Sequence, residues 1–143
     1  MKSTATASWT GGLKDGKGTL TADGGAFKDT PYSFAKRFEG APGPGTTPEE
    51  LIAAAHAGCY AMAFSGALGG AGFTVQRITA RATVTLDRVD GKATVTESHL
   101  EVRASVPGID AAKFAALATE TKTGCPISRL LNTNVTLDAK LEG

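Results

Sequence analysis

The sequence predicts an α+β fold with antiparallel sheets. Short strand-like segments broken by glycine pairs come first, one long uncharged helix follows, and a hairpin, helical segments and a last strand complete the chain. Strands and helices therefore occur in runs and do not alternate one by one, as they do in parallel α/β folds. The length of 143 residues fits one domain that can bury a core of its own.

The N-terminal segment, residues 1–46, is predicted to be a β-meander. Its strand-like pieces are rich in threonine and aromatic residues, and they cover Thr6–Trp9, Thr19–Ala22 and Tyr32–Phe34. Residues 40–45 (Gly-Ala-Pro-Gly-Pro-Gly) are incompatible with a helix or a central strand. This loop serves either as a surface connector or as a loop beside a pocket.

A central helix is predicted over residues 47–70. Thr47 is a capping residue, Pro48 takes the first helical position, and a glutamate follows to complete a capping box. No charged residue occurs from Leu51 to Gln76, so the helix either spans a membrane or is enclosed by protein. Its alanine- and glycine-rich composition, without flanking basic or tryptophan anchors, is not typical of a membrane span. We therefore expect two such helices to pack together in a homodimer.

The C-terminal half is predicted to contain a hairpin, two helical segments and a strand. The hairpin covers residues 73–107, and the apolar positions of its second strand change phase, which indicates a bulge near Ser98. Helical segments occupy residues 110–131, and a last alternating strand occupies residues 134–141.

Composition excludes several functional classes. The net charge is +1, with 15 basic and 14 acidic residues, so no footprint for nucleic acid or an anionic membrane is expected. Residues 1–12 lack the apolar core of a signal peptide, and we expect a cytoplasmic protein. Two cysteines are too few for a disulfide scaffold. They are either two inert thiols or a redox couple.

The two cysteines have different surroundings. Cys59 lies in the middle of the apolar helix, where burial raises a thiol pKa, so it would need a cation to become a nucleophile. Arg37, at a predicted strand end, is the candidate cation. Cys125 precedes Pro126 at the start of a short helix, where the dipole and free N–H groups favour a thiolate. Local chemistry alone does not decide which cysteine attacks.

His56 has three competing interpretations. It is a core histidine, the partner of Cys59 in a nucleophilic pair on one helix face, or half of a metal site. A zinc site would have to combine His56, Cys59, Cys125 and His99, without a C-x-x-C or H-x-x-x-H pair. We therefore expect no metal.

Glu49 lies in the first turn of the helix, where an acidic residue complements the helix dipole. About 15 Å of helix separates it from Cys59 of the same chain. In an antiparallel pair of helices, Glu49 of one chain would instead approach Cys59 of the other. The site is therefore expected to span two chains.

Several motifs together resemble one known family. They are Trp9 with Gly11-Gly12, Arg37-Phe38-Glu39-Gly40, Thr-Pro-Glu-Glu-Leu at 47–51, Ala-Ala-His-Ala-Gly-Cys at 54–59, Val-Pro-Gly-Ile-Asp at 106–110 and Gly-Cys-Pro at 124–126. Over essentially the whole chain, this combination resembles the OsmC/Ohr family and, within it, the osmotically inducible protein C (OsmC) branch.

The resemblance implies an intertwined homodimer, with central apolar helices wrapped by antiparallel β-sheets. It also implies a cysteine-based peroxidase for organic hydroperoxides that needs no metal or other cofactor. By motif position, Cys59 is the attacking thiol and Cys125 the resolving thiol. Arg37 is the cation and Glu49 its carboxylate partner, with Lys36 as the alternative basic residue.

The implied reaction passes through a sulfenic acid and a disulfide. The Cys59 thiolate attacks the peroxide, an alcohol leaves, and Cys125 condenses with the resulting sulfenic acid. An external dithiol, either lipoyl-type or another small dithiol, then reduces the disulfide. Tyr60, Met62 or Phe64 could contact the substrate's alkyl tail, although core packing is the more ordinary role, which we favour for Met62.

Two other functions remain open. One is a non-catalytic dimeric domain for ligand binding or stress, in which both cysteines are incidental. The other is a hydrolase or transferase that uses His56 and Cys59 as a Cys–His pair.

Overall fold

The computed structural model describes all 143 residues, which form two compact units, Met1–Leu51 and Ile52–Gly143. The sequence predicted one domain, and that organisation stays a prediction, since the chain divides into these two units. Helices and sheets are both present, as expected for an α+β protein.

The N-terminal unit contains the predicted meander. Strands β1 (Ala5–Thr10), β2 (Lys17–Ala22) and β3 (Thr30–Tyr32) form an antiparallel sheet in that order. Gly18 of β2 lies against the rings of Trp9 and Tyr32, and a Cβ there would collide with both. The two rings are 5.3 Å apart between centroids, so this glycine lets an aromatic pair form on the sheet.

A short helix replaces the end of the predicted third strand. Strand β3 stops at Tyr32, and helix α1 covers Phe34–Phe38, so the strand prediction was wrong at Phe34. The cause is Ser33, whose hydroxyl accepts a hydrogen bond from the Lys36 N–H at 3.1 Å and caps the helix. Arg37 therefore lies on a helix and not at a strand end.

Helix α2 runs from Pro48 to Gly70 and is capped by Thr47, as predicted. The Thr47 hydroxyl accepts from the Glu50 N–H at 3.1 Å. The Glu50 carboxylate does not close the capping box by bonding back to Thr47; it accepts from the Thr46 hydroxyl at 2.6 Å. By length and composition alone this helix could cross a bilayer.

Every fourth residue of α2 is buried in the core of the C-terminal unit. These residues are His56, Tyr60, Phe64 and Leu68, each fully buried. The other side of α2 is exposed and apolar, with Met62 at 79% exposure. Tyr60 and Phe64 therefore belong to the core and form no substrate wall, whereas the core role favoured for Met62 was wrong.

The predicted hairpin is formed by β4 (Arg77–Val89) and β5 (Lys92–Ser105). Asp90 and Gly91 make the turn with φ of 51° and 76°, the left-handed conformation that tight hairpin turns require. The register shifts between Thr85 and Leu86, which leaves Thr96 as the extra residue of β5. The bulge thus lies two positions from Ser98, close to its predicted place.

The second sheet is mixed, so the prediction of antiparallel sheets was wrong there. Helices α3 (Ala111–Gly124) and α4 (Pro126–Leu130) follow β5 and lead to β6 (Asn134–Glu142). Strand β6 pairs with β5 in parallel, beginning opposite Glu97. The helical crossover explains this direction, because it returns the chain to the starting end of β5 before β6 begins.

The core of the C-terminal unit is built from α2, β5 and α3. Phe64 packs edge-on against Phe114, with ring centroids 5.4 Å apart. The Tyr60 hydroxyl donates to the Ala118 carbonyl at 2.9 Å, and burial raises the pKa of Tyr60. Cys125 is part of this core, with 1% of its surface exposed.

Candidate active site

Arg37 and Glu49 form an ion pair in the N-terminal unit. Glu49 Oε1 accepts from Arg37 Nη2 at 2.7 Å and from Nε at 3.0 Å, while Oε2 lies 3.2 Å from Nε. The side chains are 36% and 11% exposed, so Glu49 is largely enclosed while part of the Arg37 side chain reaches the surface. Both residues are held by helices, Arg37 on α1 and Glu49 in the first turn of α2. Such a charge-assisted, multiply bonded contact fixes the direction of the guanidinium.

Lys36, the alternative cation, has a different contact. Its Nζ donates to the Gly43 carbonyl at 2.8 Å, within the Gly/Pro-rich loop 40–45. Gly40, Ala41 and Gly45 from that loop line a cavity of about 370 Å³ together with Lys36. This supports the interpretation of the segment as a loop beside a pocket.

An apolar cavity of about 280 Å³ lies against Arg37. Its lining residues are Trp9, Leu13, Tyr32, Ser33, Phe34, Arg37 and Phe38. The Phe38 ring lies beneath the guanidinium, 5.1 Å from Cζ to the ring centroid. Sequence reasoning placed the apolar wall on α2 and missed this cavity. The signal for it was the density of aromatic residues between positions 32 and 38.

Cys59 and Cys125 are both free thiols in the C-terminal unit, and they are close enough to influence one another. Burial raises the pKa of Cys59. The backbone N–H of Ile127 acts in the opposite direction, and the hydrogen bond and charge of Cys125 raise the pKa further. Cys59 is partly exposed and Cys125 is buried.

Cys125 joins α3 to α4 and contributes to both. Its N–H donates to the Thr121 carbonyl at 3.0 Å at the end of α3. Its Sγ accepts from the Ser128 N–H at 3.4 Å and so caps α4, with Pro126 at the first helical position. The thiol therefore lies at a helix start, as the Cys-Pro pair indicates.

His56 is fully buried, and both ring nitrogens have partners. Nδ1 lies 2.6 Å from Ser98 Oγ and Nε2 lies 2.7 Å from Ser128 Oγ. Because neither nitrogen is left for Cys59, the proposed Cys–His nucleophilic pair is contradicted. His99 instead bonds the Thr136 hydroxyl, and the zinc set of His56, Cys59, Cys125 and His99 is not assembled as a group.

The buried imidazole should make stability depend on pH. Burial lowers the pKa of His56 below the ordinary value of 6.5, so below that pH the unfolded chain binds a proton that the folded chain does not. The free energy of unfolding should therefore fall as the pH drops from about 6.5 towards the lower folded value. Urea unfolding at several pH values measures this slope. The slope should shrink in His56→Gln, and an identical slope in that variant would contradict the assignment.

Comparison with known proteins decides the family. The model for the family described as OsmC-like protein matches residues 40–140. Two relatives, each named peroxiredoxin OsmC, from Escherichia coli and Shigella flexneri, are each 46% identical over 136 residues, covering 95% of this chain and 94% of the relative. The chain belongs to the OsmC family.

Solved structures share the OsmC fold. An OsmC-like protein of unknown function from Vibrio cholerae matches with a TM-score of 0.75 at 19% identity, covering 98% of this chain and 99% of that one. The organic hydroperoxide resistance protein OhrB of Bacillus subtilis matches with a TM-score of 0.63 at 23% identity, covering 97% and 98%. The resemblance and the α+β fold class drawn from the sequence are thereby confirmed.

Proposed function

We propose that this OsmC-family chain is a thiol-dependent peroxidase that reduces organic hydroperoxides to alcohols. The observation that carries the proposal is the pair of free thiols, Cys59 and Cys125, placed within each other's influence in one unit. Relatives that cover nearly the whole chain at 46% identity are named peroxiredoxins, which supports the same reaction class.

The difference in exposure between the thiols supports the order of their reactions. Cys59 is partly open to solvent, so its thiolate attacks one peroxide oxygen, the O–O bond breaks, and the alcohol leaves. Cys59 is then a sulfenic acid. Cys125, which is buried, condenses with it to form a Cys59–Cys125 disulfide and release water. An external dithiol, lipoyl-type or another small dithiol, restores both thiols by exchange.

Arg37 is proposed to supply the cation that Cys59 requires. The raised pKa of Cys59 disfavours its thiolate, and a guanidinium beside the sulfur offsets that effect. Glu49 binds Nε and Nη2 of Arg37, so Nη1 is free to donate to a thiolate or a peroxide oxygen. Glu49 is thus a positioning residue.

The apolar cavity against Arg37 is proposed to take the substrate's hydrocarbon chain. Its aromatic side chains, with a cation at the edge, match a molecule with an apolar tail and a polar hydroperoxide head. Hydrogen peroxide has no tail and gains nothing there. This is the physical basis for a preference for organic hydroperoxides.

The chain is also proposed to act as a cytoplasmic homodimer. The exposed side of α2 carries Ala54, Ala55, Gly58, Met62 and Gly66, an apolar surface of small side chains that suits a close approach by a second helix. Two free thiols are in keeping with a reducing compartment such as the cytoplasm.

Peroxide consumption tests this function. With dihydrolipoate as the reductant, the protein should turn over cumene hydroperoxide repeatedly, with a kcat/KM at least about tenfold above that for hydrogen peroxide, as an apolar pocket allows. Loss of either peroxide is followed over time beside a reductant-only control. If neither peroxide is consumed although both thiols are titratable, the chain is a non-catalytic binding domain.

A further inference from the structure

A continuous chain of hydrogen bonds runs from the resolving cysteine into the protein interior. Cys125 Sγ lies 3.2 Å from Ser128 Oγ, and Ser128 Oγ lies 2.7 Å from His56 Nε2. On the other side of the ring, Nδ1 lies 2.6 Å from Ser98 Oγ. Three elements meet here, since His56 is on α2, Ser98 on β5 and Ser128 on α4.

The order of these contacts permits a proton to move from Cys125 to His56 without any rearrangement of heavy atoms. With Nδ1 protonated and donating to Ser98, Nε2 is an acceptor for the Ser128 hydroxyl. The Ser128 oxygen is then free to accept from the Cys125 thiol. A proton that leaves the sulfur is taken by Ser128, and the proton that Ser128 carried passes to Nε2. The result is a Cys125 thiolate and a His56 imidazolium joined through one hydroxyl.

We propose that His56, acting through Ser128, is the base that deprotonates Cys125 for disulfide formation, and that Ser98 orients its ring. The inference rests on the proposed peroxidase cycle and assigns a role in its second step. His56 does not touch the reacting sulfur, so it is a positioning residue that acts through the Ser128 hydroxyl.

Every proton and electron that moves in this step has a donor and an acceptor. The Cys125 thiolate attacks the sulfenic sulfur of Cys59, the S–S bond forms, and the S–O bond breaks to release hydroxide. Cys125 sulfur is oxidised and the Cys59 sulfenic sulfur is reduced, so no further oxidant is needed. The proton held by His56 returns through Ser128 and converts the hydroxide to water. The reverse route supplies a proton to Cys125 when a dithiol opens the disulfide.

Among the titratable groups near His56, none other is placed to act as the base for this step. On its own helix the nearby titratable groups are Cys59 and Tyr60, and the Tyr60 hydroxyl donates to the Ala118 carbonyl. On β5, His99 bonds Thr136 and Glu97 bonds Asn134, while Arg129 of α4 is exposed. No salt bridge involves His56, and burial lowers its pKa, so the ring is neutral and able to accept near pH 7.

Single-turnover kinetics separate the second step from the first. One equivalent of cumene hydroperoxide is mixed with reduced protein without reductant. Sulfenic acid at Cys59 is trapped with a dimedone-type reagent, and disulfide is followed by mass spectrometry after acid quench. In Ser128→Ala and His56→Gln, disulfide formation should slow by about tenfold or more while Cys59 oxidation keeps its rate. The pH of half-maximal disulfide formation should move upward by about one unit or more.

Two matched variants control this experiment. Ser128→Thr keeps the hydroxyl and should retain most of the rate of disulfide formation. If residue 128 matters only for packing, the added methyl group of threonine should disturb the rate at least as much as the loss of the hydroxyl in Ser128→Ala. Thr133→Val removes a partly buried hydroxyl that bonds the Val95 carbonyl, outside the chain of contacts, and should leave both steps unchanged. Ser128→Ala carries the test alone if His56→Gln does not fold.

The two proposals fail in different ways. If Ser128→Ala and His56→Gln form the disulfide at the wild-type rate with an unchanged pH profile, the proton relay from Cys125 through Ser128 to His56 is overturned, and the peroxidase proposal stands. If wild-type Cys59 is not oxidised, the peroxidase is overturned. The relay is then judged by the rate at which diamide closes the Cys59–Cys125 disulfide, where the same slowing supports it and equal rates overturn it.

Discussion

Cys59→Ser is expected to abolish the consumption of organic hydroperoxide, with kcat/KM lower by about a thousandfold or more. The serine hydroxyl is not ionised near neutral pH and is a weak nucleophile towards peroxide oxygen, so the first step has no replacement group. Peroxide loss with dihydrolipoate measures the effect. Circular dichroism shows whether the variant retains the fold, which is expected because Cys59 is partly exposed.

Cys125→Ser is the matched variant for the order of the thiols. It should still form sulfenic acid at Cys59 once per chain, and it should turn over repeatedly when a monothiol reduces that acid directly. It should not form the internal disulfide. If Cys125→Ser loses the first oxidation while Cys59→Ser keeps it, Cys125 is the attacking thiol. That order is the one that the helix start around Cys125 would favour from local chemistry alone.

Arg37→Met is expected to lower kcat/KM for cumene hydroperoxide by about a hundredfold or more, because it removes the cation proposed to stabilise the thiolate and the breaking O–O bond. Glu49→Gln should have a smaller effect of about tenfold, since the amide still accepts a hydrogen bond but no longer fixes the guanidinium as firmly. The rate of Cys59 oxidation against pH should move to higher pH in Arg37→Met, because the thiolate is then less favoured.

A second short ion pair provides the control for Arg37. Arg77 Nη2 lies 2.8 Å from Glu142 Oε2, but these side chains are 65% and 35% exposed. Arg77→Met breaks a contact of similar length at the surface, where such pairs contribute little, so peroxide turnover should be unchanged. Equal losses in Arg37→Met and Arg77→Met would mean that charge in general, and not the guanidinium of Arg37, affects the reaction.

The elements that sequence could predict are those set by neighbouring residues. The Thr47 cap and the bulge at Thr96 depend on a few adjacent positions, and the structure has both close to where they were expected. Helix α1 was missed because aromatic residues favour strands, while the single hydroxyl of Ser33 determines the outcome. Apolar and polar residues alternate along β6 in the same way whether the strand is parallel or antiparallel to β5. The sequence therefore did not reveal its parallel pairing.

In the candidate site, too, the sequence predicted some features, whereas others depend on residues far apart along the chain. The motif positions singled out Arg37 and Glu49, and the structure brings these two side chains into contact, although their catalytic roles remain proposals. The partners of His56 could not be predicted, because Ser98 and Ser128 lie 42 and 72 positions away along the chain. A histidine and a cysteine three residues apart on one helix face made a direct pair one of three interpretations of His56. Tertiary packing instead connects that histidine to the other cysteine through a serine.

The exposed apolar side of α2 has a consequence for how activity varies with protein concentration. If a second copy covers that surface, assembly is a bimolecular equilibrium, and the fraction of chains in the dimer falls as the protein is diluted. Specific activity per chain would then decline on dilution and recover on concentration, even though every chain carries both thiols. The activity of each chain would thereby depend on the concentration of the protein, because the uncharged stretch from Leu51 to Gln76 forms the surface for assembly.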